Sequence, residues 1–388
     1  MNFEFTPEEE KVRQEICDFL KKEVTPELIT ESNETGRCYG GPESRKFMKK
    51  FAAKGWLAPN WPKEYGGLGS SEMLNYIIRE ELAYSGAPIV FVGAHMAGPT
   101  ILRFGNEEMK KEFLPPIARG EVEYALGYTE PQAGSDLSVL NLRADDNGDH
   151  FVLNGQKTFN TSCHLAEYHW LAVRTDFELP KHKGISMMVV DLKSPGITIR
   201  PLITMAGFRT NEVYYDNVIV PKKNLLGEKN QGFYYSMAAL DFERMFPPGV
   251  FGRVFDQIID YAKTTVLNGK PLSNDPLIQQ KLSQTAIELE VAKLLYFQLA
   301  YRLDQGKIPG YQSSMEKTFV TELGQRIANV GMEVMGLYGQ LKRGSKRAPK
   351  DGTIEHYYRW TIVDTIYAGT SEIQRNIIAT RGLGLPRK

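Results

Sequence analysis

The hydrophobic pattern of this chain changes twice, and those two changes limit the folds that it can adopt. Residues 1–120 and 236–388 carry apolar side chains at helical spacing, as in TPEEEKVRQEICDFLKKEV near the start. Residues 121–235 instead contain short segments rich in β-branched and aromatic residues, such as GISMMVVDL and EVYYDNVIV. We therefore expect a mainly α protein with an N-terminal helical domain, a small central antiparallel β domain and a C-terminal helical bundle. Strands and helices do not alternate, which argues against a Rossmann fold.

Local signals agree with this division. Thr6 and Pro7 stand where a first helix would take its cap and its first residue. Within the β region, Asn147-Gly148 and Asn154-Gly155 predict two tight turns around an alternating segment.

Composition excludes several classes of function. Lys plus Arg and Asp plus Glu both number 47, and a net charge of zero argues against nucleic acid as the main partner. The three cysteines are widely spaced and form no CxxC pair, so neither a metal site nor a disulfide framework is expected. The sequence shows no signal peptide and no apolar run of about 20 residues, the length of a membrane span. We expect a soluble, cytoplasmic protein.

Two segments of the β region carry residues suited to ligand binding. ALGYTEPQAGSD, residues 125–136, combines small residues with hydroxyls, so that backbone N–H groups and side chains can approach a ligand. In GQKTFNTS, residues 155–162, a strand would place Phe159 and Thr161 on one face, where they could hold a flat heteroaromatic ring. The first segment could equally be an ordinary tight turn, and the second an ordinary pair of core residues.

A third segment, IYAGTSEIQR, lies at residues 366–375 near the C-terminus. Gly369 suits a turn, Thr370 can cap the helix that follows, and Glu372 falls in its first turn, where the helix dipole favours an acid. The pattern fits a well-capped terminal helix, and it fits equally the wall of an active site.

Together, YTEPQAGSD, NGQKTFNTS, EVYYDNVIVPKKNLLG and AGTSEIQRNIIA resemble the acyl-CoA dehydrogenase family in order and spacing, over nearly the whole chain. The resemblance implies a C-terminal four-helix bundle and FAD-dependent α,β-dehydrogenation of an acyl-CoA thioester. Electron-transfer flavoprotein is the acceptor that it implies. By the same resemblance, the residues that would contact FAD are Tyr128, Thr129, Ser135, Phe159, Thr161, Thr370 and Glu372.

The family resemblance also directs attention to the catalytic base. Many members carry a glutamate where this chain has Ala368, whose methyl group cannot take a proton. A subgroup that includes isovaleryl-type enzymes places its base in a pair equivalent to Glu243-Arg244 and has a small residue before Gly369. The resemblance therefore implies that Glu243 is the base, although Glu243 could instead pair with Arg244 on a solvated helix face. The positions that it implies near substrate or CoA are Ser135, Asp241, Arg244, Ala368 and Gly369.

Some positions depart from the family pattern. Thr265 and Asn268 replace an Arg and a Phe that reach the FAD of a neighbouring subunit, and GLYGQLK at 336–342 replaces a glycine-rich adenosine-binding pattern. The chain could form a homotetramer with substitute contacts, or a heteromer with a homologous chain, as in some bacterial steroid- and side-chain-degrading enzymes.

Two further hypotheses of function stay open at this point. The chain could be a flavin monooxygenase of the same fold, or an FAD-poor subunit of a hetero-oligomeric dehydrogenase. If it is a dehydrogenase, the small Ala368 side chain suggests room for a branched, cyclic or otherwise bulky acyl group.

Overall fold

Helices form both ends of the chain, and a sheet occupies its middle. The computed structural model describes residues 4–243, 245–307 and 309–386, without the side chains of residues 238–243. The helices before the sheet are α1 (Pro7–Glu23), α2 (Pro26–Glu34), α3 (Pro42–Ala53), α4 (Glu72–Ser85), α5 (Gly98–Phe104) and α6 (Glu107–Ala118). The helices after it are α7 (Gly232–Glu243), α8 (Gly249–Thr264), α9 (Pro276–Asp304), α10 (Tyr311–Met335), α11 (Thr353–Asp364) and α12 (Ser371–Ile377). This order confirms the predicted fold class.

The central sheet is mixed rather than purely antiparallel. Its strands are β1 (Tyr124–Gly127), β2 (Arg143–Asp146), β3 (His150–Lys157), β4 (Tyr168–Arg174), β5 (Ile185–Asp191), β6 (Ile197–Ile203) and β7 (Arg209–Pro221). They run in the order β1-β4-β2-β3-β7-β6, with β5 also paired to β4. Most pairs are antiparallel, whereas β1 is parallel to β4, and β2 meets β4 in parallel at one residue pair. A separate hairpin, β8 (Val266–Leu267) with β9 (Lys270–Pro271), follows α8.

Local chemistry explains several element boundaries. At the start of α1, the Thr6 N–H donates to Glu9 Oε2 over 2.8 Å and the Glu9 N–H donates to Thr6 Oγ1 over 3.2 Å. This reciprocal pair is a capping box, and it confirms the predicted cap. The predicted turn at Asn147-Gly148 is also confirmed, because the Asn147 N–H donates to the carbonyl of His150 as β2 turns into β3.

The turn predicted at Asn154-Gly155 is wrong. Both residues lie inside β3, and the register against β7 shifts between Leu153 and Gly155. The local sequence suits a turn, but the pairing with β7 continues past it and leaves an irregularity in the strand. Gly155 adopts φ of 139°, a conformation open to glycine, and this allows the strand to continue.

Contacts within the chain group these elements into two compact units. One comprises Met1–Lys22, Tyr76–Gly86 and Arg244–Lys388, and the other comprises Glu23–Asn75 and Ala87–Glu243. The N-terminal helices are thus divided between the units, while the sheet lies wholly within the second. The domain boundaries expected from the sequence, 1–120, 121–235 and 236–388, stay a prediction.

Each unit has its own core. The sheet encloses a cluster that includes Phe151, Leu171 and Val190, each without solvent exposure. In the other unit, Phe251 of α8 packs fully buried, as do Tyr296 of α9 and Leu323 of α10. Among the helices of the described ranges, none has the length and apolar character needed to cross a bilayer.

Tight helix packing in the helical unit gives a stability prediction. A Cβ at Gly324 of α10 would lie 2.4 Å from the Phe251 ring, far inside van der Waals contact. We expect Gly324→Ala to lower the free energy of unfolding by about 1–3 kcal/mol, because α8 must shift to admit the methyl group. Denaturant unfolding followed by fluorescence measures the change.

Gly252→Ala on α8 is the matched control. Its added Cβ would lie 3.7 Å from Tyr84, an ordinary contact. Replacing a helical glycine there should be neutral or should stabilise by up to about 1 kcal/mol. Equal destabilisation by the two variants would contradict the packing described for Gly324.

Candidate active site

The two ligand-binding segments predicted in the β region lie side by side. The Thr158 N–H donates to the carbonyl of Thr129 over 2.9 Å. The Asn160 side-chain amide donates to the carbonyl of Leu126 over 2.9 Å. Residues 125–136 and 157–161 therefore form one continuous edge at the ends of β1 and β3.

A buried ion pair holds this edge together. Lys157 Nζ lies 2.8 Å from Glu130 Oε1 and donates to the carbonyl of Tyr128 over 3.0 Å. Glu130 also accepts from the backbone N–H groups of Asn141 and Leu142. Burial lowers the pKa of Lys157 to about 8, against the effect of the Glu130 carboxylate, which favours the ammonium form. No local sequence pattern identifies this pair, because the two residues stand 27 positions apart.

Phe159 and Thr161 adopt a different backbone from the one predicted. β3 ends at Lys157, so these residues do not share a strand face, and that part of the prediction is wrong. Phe159 instead has φ of 57° and turns its ring outward, where 61% of the residue is exposed. The half-buried Thr161 donates its hydroxyl to Thr210 Oγ1 over 3.2 Å. An exposed ring beside a hydroxyl remains, and its role as a cofactor contact stays a prediction.

The remaining candidates of the first segment differ in accessibility. The Tyr128 ring is buried and its hydroxyl accepts from Trp170 Nε1 over 3.1 Å, so a ligand would meet the backbone of Tyr128 rather than its ring. Thr129 is half-buried and Ser135 is exposed. A Cβ added at Gly134 would meet nothing within 4 Å, which leaves open space at this part of the loop.

An open groove lies near the start of α7 in the same unit. It encloses about 460 Å³ and is lined by Leu179, Lys183, Asn230, Gln231 and Tyr234. Lys181 and His182 stand beside Lys183 in a short helical turn, and the His182 ring packs edge-on against that of Tyr234. The groove thus combines positive charge with an exposed aromatic ring. No sequence motif marks this groove, since its lining residues come from two separate segments, 179–183 and 230–234.

The predicted base lies at the limit of what the structure describes. Glu243 ends α7, and its side chain and that of Asp241 are outside the described residues. Arg244 is itself outside them. The chain immediately after, Met245–Gly249, is described and buried.

The C-terminal turn has the conformation that its sequence suggested. Gly369 has φ of 88°, and Thr370 accepts the Ile373 N–H over 3.3 Å, which confirms the predicted turn and cap. Hydrogen bonds with the Glu372 backbone N–H and the Thr370 hydroxyl hold the pKa of the Glu372 carboxyl below its ordinary value. Ala368 also has a positive φ, 55°, which is uncommon for a residue with a Cβ.

Two side chains fix the carbonyls of this turn. Gln374 Nε2 donates to the carbonyl of Ala368 over 2.8 Å, and Lys317 Nζ donates to that of Gly369 over 2.9 Å. The turn and the edge at residues 125–161 belong to different compact units. The convergence of all predicted site residues on one ligand stays a prediction.

Family models match successive parts of this chain. The model of the acyl-CoA dehydrogenase N-terminal domain matches residues 6–121, and that of the middle domain matches residues 125–218. The C-terminal domain model of the same family matches residues 230–383.

Individual relatives agree with the family models. The chain is 36% identical to acyl-CoA dehydrogenase FadE26 of Mycobacterium tuberculosis, covering 100% of this chain and 99% of the relative. Among solved structures, the Tcur3481-Tcur3483 steroid ACAD matches with a TM-score of 0.92 and 33% identity over 100% of both chains. The ChsE4-ChsE5 complex of Mycobacterium tuberculosis matches with a TM-score of 0.91 and 36% identity, again over 100% of both chains. These matches confirm the predicted family and enzyme class, and the chain belongs to the acyl-CoA dehydrogenase family.

Proposed function

We propose that this protein binds FAD and oxidises an acyl-CoA thioester to its α,β-unsaturated product. The observation that carries the proposal is the exposed Phe159 ring beside Thr161, on an edge held by the buried Lys157–Glu130 pair. A flavin ring is flat and bears carbonyl and nitrogen acceptors, so an aromatic face with nearby hydroxyls and backbone N–H groups fits it chemically. The open space at Gly134 lets such a ligand approach the loop backbone.

Glu243 is the residue proposed to take the α-proton of the thioester. Ala368, at the position where many family members carry the base, has only a methyl group. A bound flavin would accept the β-hydrogen as hydride at N5. Negative charge develops on the thioester carbonyl as the α-proton leaves, and the backbone N–H of Ala368 is the proposed donor to that oxygen. Thr370 and Glu372 are the proposed cofactor contacts of the C-terminal segment.

The groove near α7 suits the nucleotide end of CoA. Lys183 offers positive charge to a phosphate, and the exposed Tyr234 ring offers a face for the adenine base. Asp241 and Arg244 are the proposed contacts closer to the thioester, together with Ser135 and Gly369.

A bulky acyl group is the proposed substrate class. Ala368 leaves room that a glutamate side chain would fill, and one similar solved structure is that of the Tcur3481-Tcur3483 steroid ACAD. Electron-transfer flavoprotein is the proposed electron acceptor, as is usual in the family. A panel of linear, branched and cyclic acyl-CoA thioesters, compared by kcat/KM, identifies the class.

A homologous second chain is the proposed partner in assembly. The β8–β9 hairpin holds Asn268 where the family has a residue that reaches a neighbour's FAD, and Val266 and Leu267 beside it are more than 60% exposed. Leu337, in the altered adenosine-binding pattern, is 83% exposed. We take these exposed apolar side chains as the surface that the second chain would cover. The two similar solved structures are each named as a pair of proteins, Tcur3481-Tcur3483 and ChsE4-ChsE5.

Glu243→Gln tests the base. The variant should retain FAD and bind acyl-CoA, but the rate of anaerobic flavin bleaching by substrate should fall about 10²- to 10⁴-fold, because the amide cannot take the α-proton. Glu290→Gln, an exposed acid on α9, is the control and should bleach at the normal rate. Normal bleaching of Glu243→Gln would refute the assignment of Glu243 as the base.

A separate measurement tests the alternative of a flavin monooxygenase. Rapid oxidation of the reduced flavin by O₂ with a hydroxylated product would support that alternative.

Glu130→Gln tests the edge that the proposed flavin would contact. The buried Lys157 ammonium would lose its counter-charge, which should destabilise the protein by about 3–5 kcal/mol. FAD per chain after gel filtration should fall as well, since the loop of residues 125–136 loses its support. Glu121→Gln is the control, because its pair with Arg119 is solvent-exposed and should contribute at most about 1 kcal/mol. Unchanged stability and FAD content in Glu130→Gln would count against this role.

Assembly is tested on the protein expressed alone and together with a homologous chain. Mass determination and FAD per chain should show incomplete FAD binding alone and full binding in the mixed assembly. A homotetramer with one FAD per chain would overturn the heteromer while leaving the proposed reaction intact.

A further inference from the structure

A buried carboxylate on α10 binds the chain that directly follows the proposed base. Both carboxylate oxygens of Glu316 lie 3.3 Å from the backbone N of Phe246, which follows Glu243 by three positions. Glu316 has no solvent exposure, and burial raises the pKa of its carboxyl well above the ordinary value. Burying a carboxylate opposes folding unless its hydrogen bonds compensate, so an apolar residue would pack here at lower cost.

Two residues of α4 hold the same short segment. Arg79 Nη2 donates to the carbonyl of Met245 over 3.1 Å. The Gly249 N–H donates to Glu80 Oε2 over 3.1 Å. Side chains from two helices, α4 and α10, thus hold the backbone of residues 245–249 at three points. These points are Met245, Phe246 and Gly249. All of these residues belong to one compact unit.

The next residue of α10 holds the other segment of interest. Lys317 also has no solvent exposure, and its Nζ donates to the carbonyl of Gly369. It lies 5.8 Å from the centre of the Tyr367 ring, which flanks the same turn. Adjacent residues of one helix therefore bind the chain after Glu243 and the turn that contains Ala368.

We propose that Glu316 and Lys317 are positioning residues for α-proton removal, and that together they fix the chain after Glu243 relative to the turn at Ala368. The inference rests on the proposed function, in which Glu243 is the base and the Ala368 backbone binds the thioester carbonyl. In this proposal, two adjacent residues of α10 hold both the segment 245–249 and the turn at Ala368.

The helix itself makes this arrangement precise. Consecutive Cα atoms are held about 3.8 Å apart by the peptide geometry, so the two anchoring side chains leave the helix from neighbouring points of fixed separation. α10 is 25 residues long and buries fourteen of them, which leaves it little freedom to move. Groups that must meet in a reaction lose about 10²-fold in rate when misplaced by about 1 Å. A shared anchor keeps such an error from arising between the two segments.

Neighbouring charges act on Glu316 in opposite directions. The Arg79 guanidinium and the Lys317 ammonium favour its ionised form, whereas burial, the largest effect, and the Glu80 carboxylate oppose it, so that the pKa of Glu316 lies well above its ordinary value. The role of Glu316 toward Phe246 requires an acceptor oxygen rather than a negative charge. A glutamine can supply that oxygen, whereas a methionine of similar volume cannot, and this difference makes the proposal testable.

The experiment compares Glu316→Met with Glu316→Gln in the FAD-loaded assembly. Glu316→Met should slow anaerobic flavin bleaching about 10- to 100-fold and slow substrate α-hydrogen exchange in D₂O equally, with KM changed less than about threefold and FAD content unchanged. Glu316→Gln should stay within about threefold of the unmodified protein. Glu333→Met, at an exposed position of α10, is the control and should match the unmodified protein.

Lys317→Met independently tests the second contact, that of Lys317 with the Gly369 carbonyl. It also replaces Glu316→Met as the test if that variant does not fold. It should give the same selective loss of rate. A folded Glu316→Met or Lys317→Met variant with a normal bleaching rate would overturn the proposal, as would a Gln variant as slow as the Met variant. If Glu243→Gln itself bleached normally, the proposed base would be wrong, an outcome distinct from failure of the positioning role alone.

Discussion

Buried backbone N–H groups need acceptors wherever the chain leaves regular structure, and this protein meets that constraint with buried carboxylates. Glu130 accepts from two consecutive N–H groups, those of Asn141 and Leu142. The half-buried Glu31 accepts in the same way from Glu43 and Ser44 at the start of α3. Irregular segments that would otherwise need water are thereby tied to neighbouring helices and strands. The loops that carry the candidate site depend on these ties for their shape.

This solution has an electrostatic cost. Glu123 accepts from Gly93 and Tyr124, and burial raises the pKa of its carboxyl to about 8. Burial raises that of Glu80 to about 7. Each such group is less favourable in its charged form than it would be in water. The hydrogen bonds that it accepts offset part of the loss, as do nearby positive charges, Arg45 for Glu123 and Lys293 for Glu80. These buried carboxylates therefore fix the conformation of loops at a cost in folding stability, as strained residues do at ligand sites.

Sequence patterns were sufficient where structure is decided locally. The capping box at Thr6 and the cap at Thr370 follow from side chains within one helical turn of each other. Local patterns were insufficient where contacts with distant parts of the sequence decide the structure. Pairing with β7 makes Asn154-Gly155 part of a strand. The Lys157–Glu130 ion pair likewise joins residues from separate segments. The family motifs identified the enzyme class because their residues come from several distant segments of the chain. The motifs do not, however, reveal the contacts between those segments.

The turn at Ala368 has a further consequence for how enzymes of this kind diverge. Its backbone is held through carbonyl oxygens, by Gln374 and Lys317, and not through the side chain at position 368. The identity of residue 368 can therefore change while the path of the chain stays the same. A lineage can lose or regain a carboxylate there in a single substitution, without a period in which the surrounding structure has to be rebuilt. Relocating a base between this turn and the end of α7 then requires only an exchange of side chains, with the path of the turn unchanged.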